Sequence, residues 1–328
     1  MENKHNVLVL GGAGYIGTRL APYLQNNNCN VTVVDTNWFG NYLPPHINTI
    51  QKDIFDLHLS DLVGFDTVIF LAGLSNDPMA EFSPKDNFIY NTGMPAYIGF
   101  LAKEAGVKRF IFASSCSVYG YTRNSTFTEE DVAISNYPYG VSKLQGEHSL
   151  LALADENFSV VCFRQGTVSG YSPRMRLDLA LNTMFKNALS KGEITLSNPK
   201  IWRPILGLND LCDAYLLAIN SNLQKGEVIN ISSFNTTIGE LAHEVKSFIQ
   251  QQYGLEIKIT NQNVQDYRNY KVSTDKALQL LNYKPKQDAY SIMLDLHDTV
   301  DQYSSFDDER FYNILVFKKI MMSQLITN

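Results

Sequence analysis

The stretch Asn6 to Gly17, N-V-L-V-L-G-G-A-G-Y-I-G, constrains this chain more than any other. Its apolar run, Val7 to Leu10, suits a strand buried on both faces of a parallel sheet. The run leads into Gly11, Gly12, Gly14 and Gly17, while Tyr15 to Leu24 takes on helical spacing. Strand, glycine turn and helix start, in that order, make an anion site. The glycines let the backbone approach a pyrophosphate, and the helix N-terminus offers unpaired N–H groups and a positive dipole end. A second strand, Val31 to Val34, ends in Asp35, about 20 residues beyond the glycines, where an acid grips a ribose 2′-hydroxyl. Thr36, Asn37 and Trp38 bring no Arg or Lys for a 2′-phosphate. The pattern favours NAD over NADP.

The alternation of strand and helix continues for half the chain. Thr67 to Leu71 reads as a buried strand closing on Ala72-Gly73, small residues that let a ligand lie against the backbone. Asp53-Ile54, after a short strand at Asn48 to Gln51, could meet the adenine or serve as a plain turn. A helix over Lys85 to Ala105 carries Asn91 among apolar neighbours. The strand Arg109 to Ala113 ends in S-S-C-S-V-Y-G, Ser114 to Gly120, at the strand end where open α/β sheets bind ligands. Pro138 opens a helix from Tyr139 to about Ala154, and Phe158 to Phe163 is another strand. This order predicts an α/β fold, a doubly wound parallel-sheet Rossmann domain.

Beyond Gly166 the alternation fails. Ser169 to Arg176 reads as loop, Leu177 to Ser190 as helix, and Ile194 to Pro204 as irregular. A helix over Asp210 to Asn220 and a strand over Glu227 to Ile231 return to the sheet. Ile238 to Gln251, a strand at Glu256 to Thr260, and helices near Thr274 to Leu281 and Tyr290 to Tyr303 make a smaller mixed α/β cap. The expected division is residues 1–168 with 204–234 for the dinucleotide-binding domain, 169–203 with 235–305 for the cap, and 306–328 for a tail. That tail starts acidic and turns apolar, as suits a helix packed on the body or on a partner subunit.

Tyr139 and Lys143 stand four residues apart on one helix face. A phenol has a pKa of about 10, so poising it near neutrality takes roughly 4 kcal/mol of differential stabilisation. A lysine cation and a positive nicotinamide in a water-poor site could supply it. The spacing alone is weak, since Tyr267 and Lys271 repeat it. The first pair is favoured by the glycine turn upstream, the helix start at Pro138 and the strand-end Ser115, whose hydroxyl can bond both a substrate hydroxyl and the tyrosine. A net charge of −6 with no basic run argues against nucleic-acid binding. No apolar run reaches the ~18–20 residues that span a bilayer. Cys29, Cys116, Cys162 and Cys212 are scattered, with no C-x-x-C pair, which suggests reduced buried thiols and no metal site. With no apolar leader before the first strand, the expectation is a cytoplasmic protein.

Together these residues resemble the extended short-chain dehydrogenases/reductases of the NAD-dependent sugar-nucleotide epimerase/dehydratase type. The motifs are G-G-A-G-Y-I-G at Gly11–Gly17, Asp35, L-A-G at Leu71–Gly73, S-S-C-S-V-Y-G at Ser114–Gly120 and Y-G-V-S-K at Tyr139–Lys143, with R-P-I-L at Arg203–Leu206 and N-I-S-S at Asn230–Ser233 downstream. The resemblance implies a catalytic trio of Ser115, Tyr139 and Lys143. It implies an NAD site lined by Gly11, Gly14, Tyr15, Ile16, Gly17, Asp35, Asp53, Ile54, Leu71, Ala72, Gly73 and Asn91, with Tyr139 and Lys143 also touching the cofactor. It assigns the cap to a nucleotide diphosphate, with Thr167, Asn182, Arg203 and Arg268 in reach. Ser75, Asn76, Ser117 and Arg176 complete the candidate substrate set. Look-alikes are usually homodimers through helices such as Lys85 to Ala105 and Tyr139 to Ala154. Two departures matter. Cys116 and Ser117 stand where the dehydratases carry an Asp-Glu pair, so dehydration is disfavoured. Gly207 replaces the usual histidine of R-x-x-x-H-V-x-D. The implied reaction is oxidation of a nucleotide sugar at a ring hydroxyl, C4 most often, preferably as an epimerase. The alternatives are a net dehydrogenase or ketoreductase on a substrate such as a GDP-heptose, given S-N-D-P at Ser75–Pro78 and G-Y-S-P-R-M-R at Gly170–Arg176, or an NAD-binding scaffold without catalysis.

Overall fold

In the computed structural model, which describes residues 4–262 and 268–327, the apolar runs pair into one seven-stranded parallel sheet. Its strands are β1 (His5–Leu10), β2 (Cys29–Asp35), β3 (Asn48–Gln51), β4 (Thr67–Phe70), β5 (Arg109–Ser115), β6 (Ser159–Gln165) and β7 (Gly226–Ile231). Their spatial order is β7-β6-β5-β4-β1-β2-β3. The pleat divides β1 between two cores: Val7 and Val9 join one, Leu8 and Leu10 the other. A strand with an apolar layer on each face has no polar side to show, which is why it reads as an unbroken apolar run. β1 pairs with β2 on one side and β4 on the other, so the winding reverses between β1 and β4. A crevice opens at that reversal, beyond the strand ends.

The glycine turn exists because backbone must meet backbone there. Gly11 has φ +79°, and a Cβ on it would fall 2.5 Å from the Ala72 nitrogen. A Cβ on Gly17 would overlap the backbone of Gly12, at the start of the first helix, Gly17–Asn26. Only glycine allows this closeness at both places.

Two expectations change. The helix expected over Lys85 to Ala105 is broken into Pro84–Phe88, a wide π-turn at Ile89–Gly93, and Met94–Glu104. Pro95 has no N–H to bond the carbonyl of Asn91, and the wider turn absorbs the mismatch. That carbonyl instead faces Gly146 on the helix Pro138–Leu151, where a Cβ would lie 2.5 Å away. The stretch Ile194 to Pro204, expected as irregular, contains the strand Glu193–Leu196 and the start of Trp202–Gly207. Their partners, Lys258–Asn261 and Phe234–Thr237, lie dozens of residues downstream, so no local pattern announces them. Tyr121–Phe127 likewise pairs with Asn269–Val272. Of the second Tyr–Lys pair, Tyr267 lies outside the described residues.

The tail helix, Asn313–Thr327, packs on the body. Phe317 is buried with Leu74 and Met79, against Trp38 and Tyr90. Among the described residues no helix is long and apolar enough to cross a membrane.

The glycine contacts make an unequal pair of substitutions. Gly17→Ala should destabilise the fold severely, by more than ~3 kcal/mol, since neither backbone can retreat. Gly93→Ala, with nothing within 4 Å and a helical backbone, should stabilise by about 0.5–1 kcal/mol. Urea unfolding of both variants checks the contrast.

Candidate active site

The crevice holds two cavities that meet at Ile16, Leu71, Ser75 and Arg176. The first is lined by Gly11, Gly14, Tyr15, Ile16, Gly17, Asp35, Asp53, Ile54, Leu71, Ala72 and Gly73. Asp35 is fixed at its rim: its oxygens accept hydrogen bonds from the Ala13 nitrogen (2.9 Å) and the Asn37 nitrogen (2.8 Å). Burial pushes its carboxyl up, although those N–H groups oppose the shift. Asp53 does two things at once. It caps the short helix Ile54–Asp56 through the Phe55 nitrogen, and it lines the cavity.

Asn91 is fully buried and lines neither cavity. Its amide nitrogen donates to the Leu74 carbonyl and to Asn87 Oδ1, while its own Oδ1 has no partner. That Oδ1 occupies the place a Cβ on Gly73 would need, so Asn91 shapes the cavity from behind.

The second cavity, of about 440 Å³, contains Ser115, Ser117, Tyr139, Lys143, Thr167, Arg203, Arg268 and Asn76, with Ser75 and Arg176 at the junction. Ser115 ends β5, and the pleat sends its neighbour Ser114 the other way, onto Glu147. Ser115 Oγ accepts from Ser117 Oγ at 2.9 Å and shares the cavity with the Tyr139 phenol. Lys143 Nζ is buried, donates to the Ala113 carbonyl at 2.9 Å, and lies 6.0 Å from the Tyr139 ring centre.

The electrostatics differ from the simple picture of a lysine lowering a tyrosine. Burial holds the Tyr139 phenol above its ordinary value, helped by the charge of Asp77, while Ser115 and Arg176 pull it down. Lys143 is itself lowered to about 7 by burial, with Glu147 opposing. Desolvation is the largest cause for each, so both groups lean toward neutrality.

Around them the arginines are pinned. Arg176 pairs with Asp178 at 2.8 Å and donates to Ser75 Oγ. Asn76 caps the helix Asp77–Phe82 and donates to Asp178. Arg268 pairs with Asp77, and Arg203 lies 5.3 Å over the Tyr270 ring. Asn182 lines neither cavity: its Oδ1 accepts from the Gly170 nitrogen, and its amide nitrogen donates to Tyr15 and to the Arg176 carbonyl. It holds the loop that carries the arginines. Cys116 is buried against the Arg164 carbonyl and pushed far up by burial. Neither that thiol nor the Ser117 hydroxyl is an acid at neutral pH. Gly207 lies outside both cavities, and the Gln287 side chain fills the space a residue there would take.

The first cavity also holds Trp38, Phe39, Lys52, Tyr90, Arg174 and Asn313. Arg174 sits in the G-Y-S-P-R-M-R stretch, two residues before Arg176. Asn313, in the tail, carried no sequence signal.

The glycine cradle, the fixed acid and the narrow apolar walls fit a dinucleotide. Residues 7–232 match the NAD dependent epimerase/dehydratase family. The UDP-glucose 4-epimerase of Lacticaseibacillus casei is 25% identical over 307 residues, covering 86% of this chain and 92% of its own. MoeE5, solved in complex with UDP-glucuronic acid and NAD, is 25% identical with a TM-score of 0.80, over 90% of this chain and 99% of that one. TunA, an NAD-dependent NDP-hexosamine 5,6-dehydratase, is 21% identical with a TM-score of 0.79 over 92% of this chain and 98% of that one. The shared fold therefore serves more than one reaction.

The buried ammonium has a stability signature. Lys143 is drawn below its unfolded value, so its burial costs most below about pH 7 and progressively less as pH rises above it. In nucleotide-free protein, Lys143→Met should raise the melting temperature, more at pH 6 than at pH 9. Differential scanning calorimetry at the two pH values reads it out.

Proposed function

The chain belongs to the NAD-dependent epimerase/dehydratase family, and from that premise we propose that it epimerises a nucleoside-diphosphate sugar at C4. The observation that carries this reading is one cavity. Ser115, Tyr139 and Lys143 line it next to the glycine cradle, while the two positions beside Ser115 hold a buried thiol and a hydroxyl instead of carboxylates. Proton removal by a phenol is available there, while positions 116 and 117 offer no carboxylic acid to protonate a leaving hydroxyl.

In this reading Gly11, Gly14 and Gly17 approach the pyrophosphate of NAD, Asp35 takes the adenosine ribose, and Lys143 holds the nicotinamide ribose. Bound NAD supplies a reversible hydride acceptor. Ser115 Oγ holds the sugar hydroxyl, and Tyr139 Oη accepts its proton as the C4 hydride leaves. The positive charge that arrives with the oxidised cofactor opposes the burial that keeps Tyr139 high, so the phenol is poised when the site is loaded. Arg176, Arg203 and Arg268 suit the diphosphate, because a guanidinium fork matches paired oxygens. With the diphosphate anchored, the 4-keto sugar can turn in the cavity, so that C4 takes the hydride back on its other face and O4 takes the proton from Tyr139. No net redox occurs. Residues 1–168 with 204–234 are the cofactor-binding part of this scheme and 169–203 with 235–305 the substrate-binding part.

A homodimer belongs to the same reading. Tyr97 and Phe100 are half-exposed on the helix Met94–Glu104, which packs beside Pro138–Leu151, so two copies could join these helices in a bundle. Light scattering that finds only monomer at working concentration would sink that part.

The test is to incubate the protein with UDP-glucose, UDP-glucuronic acid and a GDP-heptose and follow C4 configuration by proton NMR. Appearance of the C4 epimer without accumulating NADH supports the proposal. Stoichiometric NADH with a 4-keto product would replace it with a dehydrogenase. Tyr139→Phe should cut turnover at least 100-fold, in the range lost with a general acid–base, while NAD binding stays within a few-fold.

A further inference from the structure

Arg174 is buried more deeply than any other described arginine, at 2% exposure. Arg164 and Arg176 are buried against carboxylates, Glu147 and Asp178, and Arg109 is buried against the carbonyls of Ala218, Ile219, Ser221 and Leu223. Arg174 has no ion pair among the described residues. One terminal nitrogen donates to Asn313 Oδ1 at 2.5 Å, its guanidinium lies 3.7 Å over the Phe39 ring, and its buried Nε has no partner. A desolvated cation with an unused donor is costly unless an anion completes it.

Its position says which anion. Arg174 lines the first cavity together with Gly11, Gly14, Gly17 and Asp35. Its backbone nitrogen donates to Thr18 Oγ1 (3.3 Å), which in turn bonds the Gly14 carbonyl (3.0 Å). The arginine is thereby tied to the first turn of the helix whose free N–H groups form the anion cradle. Another corner of the cavity is held by Asp35, whose negative charge disfavours a phosphate on the ribose.

We propose that Arg174 is a binding residue for the pyrophosphate of the dinucleotide, and that Asn313 of the tail helix positions it. The inference rests on the reading that this cavity takes NAD. Asn313 is itself fixed from three sides. Its Oδ1 accepts from Arg174, its amide nitrogen donates to Ser75 Oγ at 2.7 Å, and its backbone nitrogen reaches Asp178 at 3.3 Å. One turn later, Phe317 anchors the helix against Trp38, a wall of the same cavity. The tail thus becomes part of the cofactor pocket.

The experiment is calorimetric binding of NAD⁺, ADP-ribose, adenosine and NADP⁺ to nucleotide-free full-length protein. Arg174→Met should weaken NAD⁺ and ADP-ribose about 10- to 100-fold, as expected for a lost charged hydrogen bond, and leave adenosine within about two-fold; Arg174→Lys should recover part of the loss. Asn313→Leu, which keeps the arginine but removes its acceptor, should weaken NAD⁺ several-fold. Unchanged NAD⁺ affinity in Arg174→Met overturns the proposal. So does a loss confined to NADP⁺, which would assign Arg174 to a 2′-phosphate. If Arg174→Met does not fold, unchanged affinity in Asn313→Leu overturns it instead. A parent protein that binds no NAD⁺ removes this inference and the NAD reading together, whereas normal binding without epimerisation sinks only the reaction.

Discussion

The rest of the structure depends on the approach of Gly11 to the backbone of Ala72, too near for any side chain between them. It joins the ends of β1 and β4 at the point where the winding of the sheet reverses. Everything that handles a ligand is arranged around that gap. The helix N-terminus follows Gly11 on one side. On the other, Ala72 and Gly73 lead to Ser75 and Asn76, which touch the loop carrying the arginines. Widening the gap by one methyl group would shift the cradle and the substrate wall together.

The second requirement is that the helix Pro138–Leu151 be held without freedom to slide. Tyr139, Lys143 and Glu147 form one stripe along it, and the last anchors the other two. Glu147 is fully buried, accepts from Ser114 and pairs with Arg164 at 2.8 Å. Arg164 also donates to Tyr119, whose hydroxyl bonds Asn230. A buried ion pair adds little net stability, because desolvation offsets attraction. Its hydrogen bonds, however, are satisfied in only one register, since a shift of one residue would bury an unpaired carboxylate. The network ties the helix Pro138–Leu151 to β5, β6 and β7, and so sets where the phenol stands relative to Ser115.

The chemistry proposed for Tyr139 and Lys143 depends on what shares their pocket. Burial raises the tyrosine and lowers the lysine, so each is biased toward its neutral form. Desolvation is the largest cause for both. An incoming cation acts on the phenol through the same low-dielectric surroundings, where charges are felt strongly. The burial that suppresses ionisation thus also amplifies the effect of any charge that enters. The buried Arg174 obeys the same logic with the opposite sign of ligand.

Features written in consecutive residues were legible from the chain alone. The apolar run before Gly11, the acid after the second strand, the serine at the end of β5 and the Tyr–Lys spacing each depend on local backbone geometry, which sequence neighbours determine. The parallel sheet followed, because strands that alternate with helices can only be joined by crossovers. What tertiary structure decided lay between distant segments. Asn182, a candidate ligand by position, turns away to brace the arginine loop, and Asn91 supports the cavity without lining it. Asn313 stands more than two hundred residues from Ser75 yet donates to it. The strands Glu193–Leu196 and Tyr121–Phe127 exist only because partners arrive from far along the chain. The reason is physical: periodicity reports which side of an element is apolar, whereas contacts between elements depend on how whole faces pack, and no local pattern records the outcome.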